Sequence, residues 1–70
     1  MREFKQDNSE KLSPKQKSYA ESLARQVRDL MGEKGFELSY GASSLSKYFT
    51  ISTLVTALKA LKMGETVKFL

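Results

Sequence analysis

Neither cysteine nor histidine occurs in this chain of 70 residues. The first absence excludes a disulfide, a thiolate nucleophile and a cysteine-held zinc. The second removes the commonest protein metal ligand and the commonest general base. Zinc fingers, zinc ribbons and thiol chemistry fall away together, and neither a metal nor a cofactor is expected. No apolar run approaches the ~20 residues that a membrane-spanning helix needs. The opening MREFKQDNSEK is polar and of mixed charge, without the apolar stretch of a secretory signal. The chain reads as a soluble, cytoplasmic protein with no membrane attachment.

Size sets a second bound. So short a chain makes at most one domain, and a core this small rarely supplies more than ~3–5 kcal/mol. With disulfide and metal staples excluded, helix packing or oligomerisation must hold it together. Residues 1–11 lack periodicity and are rich in charge. They read as a flexible tail, with Phe4 either unanchored or tucked onto the domain, and residues 12–70 as a single small helical domain.

Proline occurs once, and it marks a helix start. Leu12-Ser13-Pro14-Lys15-Gln16 puts Ser13 at the N-cap and Pro14 at the first helical position. Gln16 then stands where its side chain can reach back to the Ser13 backbone N–H. From there Tyr19, Ala20, Leu23, Ala24, Val27, Leu30 and Met31 fill one arc of about 140° at helical spacing. The opposite face carries Lys17, Glu21, Arg25, Arg28 and Asp29, whose alternating signs argue against a phosphate-binding stripe. Gly32 and Gly35 bracket the exit, and one of them is expected to cap it.

FELSY follows, with Phe36, Leu38 and Tyr40 alternating against Glu37 and Ser39. The closing TVKFL alternates through Val67 and Phe69. The two pieces match as a small ribbon, 36–40 with 66–70; the other reading is a buried loop and an extended tail. A short helix then begins at a cap on Ser43 or Ser44 and presents Leu45, Tyr48 and Phe49. Thr50 and Ser52 both carry the hydroxyl that caps a third helix. That helix turns Leu54, Val55, Ala57, Leu58 and Leu61 inward and Thr53, Thr56, Lys59 and Ala60 outward, and Gly64 stops it. The expected fold is mainly α: a small three-helix bundle, with the ribbon as an optional addition. Its expected core is Tyr19, Leu23, Val27, Leu30, Leu45, Phe49, Ile51, Leu54, Leu58 and Leu61.

The last two helices invite comparison with a helix-turn-helix. Leu45, Ser46, Phe49, Ile51 and Ser52 fit the front of that pattern. Thr50 falls where a left-handed glycine is favoured. The second half fits worse, because the positions five and eight beyond Ile51 are Thr56 and Lys59, not apolar residues. A slip of one residue rotates a helix by about 100°. The third helix also lacks Arg, Asn and Gln, the usual bidentate readers of base edges.

Three further patterns bear on function. Ser44-Leu45-Ser46-Lys47 matches the S-x-x-K of serine-nucleophile enzymes, but the companion motifs are missing and a helix cap explains the serine. Asp29, Glu33 and Glu37 are not spaced as a cation-binding loop. Tyr40, Lys47, Tyr48, Lys68 and Phe69 interleave rings with cations, as surfaces that stack unpaired bases do; core packing is the competing explanation for Tyr48 and Phe69.

The run Leu12-Ser13-Pro14-Lys15-Gln16, then Tyr19 and Leu23, resembles a recurring "L-[ST]-x-K-Q-x-x-Y-x-x-x-L" helical module of small bacterial and phage proteins of unassigned function. That module also occurs beside DNA-processing domains. Leu45-Ser46-Lys47, followed by Leu54-Val55 and Leu58, is similar to its closing segment, with one residue more than the usual spacing. The resemblance implies a small helical fold and a nucleic-acid setting, and it transfers no catalytic residue.

The formal charge is +4, and it is uneven along the chain. Residues 43–70 set Lys47, Lys59, Lys62 and Lys68 against Glu65 alone, a net +3. Such a segment suits phosphate or an acidic partner, although lysines also simply keep a small protein soluble. The expected function is a non-catalytic accessory domain that binds nucleic acid without strong sequence choice through those four lysines. The alternative is a protein-binding module or phage-type inhibitor of a host protein, using Thr53, Thr56, Lys59 and Ala60.

Overall fold

The computed structural model describes residues 2–7, 12–36, 38 and 40–70, and in this span the order is β1 (Arg2–Phe4), α1 (Pro14–Glu33), α2 (Ala42–Tyr48), α3 (Ile51–Lys62) and β2 (Val67–Phe69). The fold is mainly helical, with a two-stranded sheet. Twenty helical residues at 1.5 Å each come to about 30 Å. The molecule measures 32 × 20 × 19 Å, so α1 sets its long axis and the other elements pack across it.

The start of α1 forms as its residues direct. Gln16 N–H donates to Ser13 Oγ at 3.3 Å, and Ser13 N–H donates to Gln16 Oε1 at 3.0 Å. Both ends of this capping box are closed. At the exit Gly35 takes φ +76°, which a side chain would resist, and lets Phe36 N–H reach Met31 O at 2.8 Å and Gly35 N–H reach Gly32 O at 3.1 Å. Gly64, at φ +85°, closes α3 the same way: Glu65 N–H reaches Ala60 O and Gly64 N–H reaches Leu61 O.

Leu23, Ala24, Val27 and Met31 of α1 meet Leu45 and Phe49 at α2 and Leu54, Ala57, Leu58, Ala60 and Leu61 of α3, with Val67 and Phe69 of β2 completing the cluster. No polar or charged side chain is buried among the described residues. Several expected positions shift. Tyr19 is 53% exposed. It stands about 80° around the helix from fully buried Val27, so the covered stripe is centred nearer Ala20, Ala24 and Met31. Leu30 and Ile51 are only partly buried and pack at the margin. Ala60, expected on the outer face, is 1% exposed. The reason is that α3 is covered by α1, α2 and β2 together, which buries a wider arc than one neighbour would.

The ribbon forms with a different partner. Val67–Phe69 pairs in parallel with Arg2–Phe4 in the register Arg2↔Val67, Glu3↔Lys68 and Phe4↔Phe69. Phe36, Leu38 and Tyr40 are in no strand, while Glu37 and Ser39 lie outside the described residues. A parallel pair needs a long crossover, and here all three helices supply it. The boundary expected at residue 12 moves as well. Arg2–Phe4 belongs to the sheet and Asp7 accepts from Thr50 N–H at the start of α3, so residues 2–7 are built into the domain; residues 8–11 lie outside the described ones. At α2 the cap differs too, since Gly41 holds the N-cap position and makes no side-chain cap bond.

Candidate nucleic-acid interface

The helix-turn-helix comparison is decided at the corner. Phe49 and Thr50 are both extended, Thr50 at φ −69° and ψ 160°, and no residue other than glycine has a positive φ among those described. The left-handed turn of a helix-turn-helix is therefore absent. Instead Thr50 caps α3, its Oγ1 accepting from Thr53 N–H at 3.2 Å. The exposed residues of α3 are Ser52, Lys59 and Lys62, none of which reads a base edge in two places.

The four expected lysines are all exposed. Lys59 and Lys62 share the last turn of α3, where cations also favour the negative end of the helix dipole. Lys68 points outward from β2 between buried Val67 and Phe69, and Glu3 stands opposite it in the sheet. Lys59, Lys62 and Lys68 form no ion pair within 4 Å among the described residues; Arg2 and Glu65 do, at 3.9 Å. Lys47, at the end of α2, holds its Nζ over the Tyr48 ring at 5.6 Å.

The expected protein-contact face is not a smooth outer surface. Ala60 is buried. Thr56 Oγ1 donates back to Ser52 O at 3.0 Å, and the Thr53 hydroxyl donates to Asp7. Of the four residues only Lys59 faces solvent freely.

The rings noted in the sequence join a longer row. Phe4 stacks on Phe69 at 5.6 Å, Phe69 meets Phe49 edge-on at 4.8 Å, Phe49 meets Tyr40 at 5.4 Å, and Tyr40 lies 6.2 Å from Tyr48. Arg2 sits 5.6 Å from the Phe4 ring at one end, and Lys47 covers Tyr48 at the other. Packing accounts for Phe49 and Phe69, which are 0% and 7% exposed. Tyr48, 39% exposed, offers most to solvent, while Phe4 and Tyr40 are partly buried.

One polar cluster left no pattern in the sequence. Asp7 accepts from Thr50 N–H at 2.9 Å, from Thr50 Oγ1 at 3.2 Å and from the Thr53 hydroxyl. The slight desolvation of this exposed carboxyl works to raise its pKa. The bonds from Thr53 and from the backbone and hydroxyl of Thr50 outweigh that and hold it below the ordinary 3.8. Beside it Gln6 Nε2 donates to Tyr40 Oη at 2.8 Å, and that hydroxyl donates to Leu70 O at 2.6 Å. Phe4, the lone ring in an otherwise charged stretch, is the only trace of this attachment in the sequence.

Among the described residues no cluster of three or more acidic, His or Cys side chains could hold a metal, and no helix is long and apolar enough to cross a membrane. Fold and surface together define a small three-helix domain closed by a parallel two-stranded sheet. No protein-family model, curated protein or solved structure matches the chain.

Proposed function

We propose that the domain is a non-catalytic accessory module that binds nucleic acid without strong sequence choice, through Lys47, Lys59, Lys62 and Lys68. The observation that carries this reading is that Lys59, Lys62 and Lys68 are exposed and form no ion pair among the described residues. Their charge is available to phosphate oxygens, and neutralising phosphates releases condensed counterions. The lack of base-reading side chains on the exposed face of α3 supports indifference to sequence. Tyr48, ring partly exposed and Lys47 alongside, adds a place for an unpaired base to rest.

The test is titration of a labelled single-stranded oligonucleotide at rising salt. Four phosphate contacts on a single strand correspond to a log–log slope of about −3, or a loss of about fifty-fold between 50 and 200 mM salt. The double variant Lys59→Gln/Lys62→Gln should halve that slope. Affinity unchanged across that salt range would sink the proposal.

A further inference from the structure

None of the fully buried members of the apolar cluster comes from residues 2–7. All its buried members come from the helices, the residues that cap them and β2, and Phe4 only packs against its edge. Arg2, Glu3, Lys5, Gln6 and Asp7 are exposed, and Phe4 is half-buried. The segment is held by directed bonds instead. Arg2 N–H reaches Thr66 O at 2.8 Å, Leu70 N–H reaches Phe4 O at 2.9 Å, and Asp7 N–H reaches Tyr48 O at 3.1 Å. To these are added the Phe4–Phe69 stack, the Gln6–Tyr40 bond and the Asp7 carboxylate on α3. Little burial combined with main-chain pairing and side chains seated one by one is how a sheet edge takes up an extended peptide. It is also the profile of a segment that opens locally.

We infer that the surface beneath residues 2–7 is a docking groove for an extended segment of a protein partner, filled in this structure by the chain's own copy of the ligand. β2 receives a strand in parallel register. The Phe69 ring seats an aromatic side chain. Two residues further along, Tyr40 Oη takes an amide donor, and one beyond that the start of α3, with Thr50 and Thr53, takes a carboxylate. The ligand class is therefore an aromatic residue followed three positions later by an acidic one. Phe4-Lys5-Gln6-Asp7 is the internal example, and Asp7 shows that the helix start accepts a carboxylate. This groove does not use Lys59 or Lys62 of α3, although β2 also carries Lys68, and peptide binding is read separately from oligonucleotide binding.

Because the internal copy is tethered, its effective concentration is high and a free peptide competes poorly with it. The probe is a fluorescent, end-capped peptide of sequence Arg-Glu-Phe-Lys-Gln-Asp, titrated by anisotropy into the full-length chain. Into the Phe4→Ala/Asp7→Ala variant it should bind saturably and at least ten-fold more tightly than into the wild type. Peptides carrying alanine for the Phe or asparagine for the Asp should lose ten-fold or more. A folded variant with no saturable binding, or one that takes all three peptides alike, overturns the inference. If the double variant loses its helical circular dichroism, the milder Asp7→Asn variant decides: tighter binding than wild type supports the groove, equal binding overturns it. A concentration-dependent wild-type dimer that exchanges residues 2–7 between copies would replace a foreign partner with a second copy of this chain.

Discussion

The helical core and the segment 2–7 are held by different physics. In the core, Val27, Leu45, Phe49, Leu54 and Leu61 are fully buried and no polar side chain joins them. Removal of apolar surface from water holds that part together, and it is tolerant of detail. Segment 2–7 is mostly exposed, and its hold depends on a few bonds with fixed partners. The first kind of contact makes a fold. The second kind makes a seat, which another chain with the same groups can occupy.

Substitutions can break or sharpen that contrast. The largest effect is expected at Phe49, which is completely buried and touches both Tyr40 and Phe69. Phe49→Ala should cost about 3–5 kcal/mol, as much as so small a core supplies. The variant should lack a cooperative thermal transition. If it melted like the wild type, the core would not be where the structure puts it.

Asp7→Ala comes next, at about 1–2 kcal/mol, since hydrogen bonds to a charged group exceed neutral ones and this carboxylate is exposed. Its effect must depend on pH. The folded state holds the Asp7 carboxyl below its ordinary 3.8, so the folded form favours the carboxylate. That stabilisation is present above the ordinary value and is lost as pH falls through the lower, folded one. The melting-temperature gap between wild type and Asp7→Ala should be full near neutrality and shrink as pH drops well below 3.8. A gap that grew on acidification would contradict the bonds that the Asp7 carboxylate accepts from Thr50 and Thr53. A loss as large as that of Phe49→Ala would erase the distinction between core and seat.

Tyr40→Phe removes the hydroxyl that links Gln6 to Leu70. It should cost about 0.5–1.5 kcal/mol and leave the helical signal intact. Smallest of all, Lys59→Gln/Lys62→Gln should change stability by no more than about 0.5 kcal/mol, as usual for surface positions, while weakening oligonucleotide binding. A matching loss of stability would assign these lysines to the fold instead.

How much of this was legible in the sequence follows the same divide. Ser13, Pro14 and Gln16 announced the start of α1, because a capping box is local. Leu54, Leu58 and Leu61 marked the inner side of α3 by their spacing. Tyr19 and Ala60 were misplaced because spacing gives the direction of a face but not how many neighbours cover it. The partner of β2 was not legible. Phe4 and Phe69 stand at opposite ends of the chain, and short alternation at 36–40 offered an equally good match. Asp7 and Thr53 lie 46 residues apart, and a single bond over that distance leaves no periodic mark. Among the site residues, the exposure of Lys47, Lys59, Lys62 and Lys68 was legible, since charge seeks water. The groove under residues 2–7 was not.

Native-state hydrogen exchange on the wild-type chain separates the two regions most directly. The amides of Arg2, Asp7 and Leu70, which bond between segment 2–7 and the rest, should exchange through a local opening well below the free energy of global unfolding. Those of Val27 in α1 and Leu58 in α3 should exchange only when the whole domain unfolds. Equal opening free energies at all five amides would show one indivisible structure and contradict a detachable segment on a self-sufficient core.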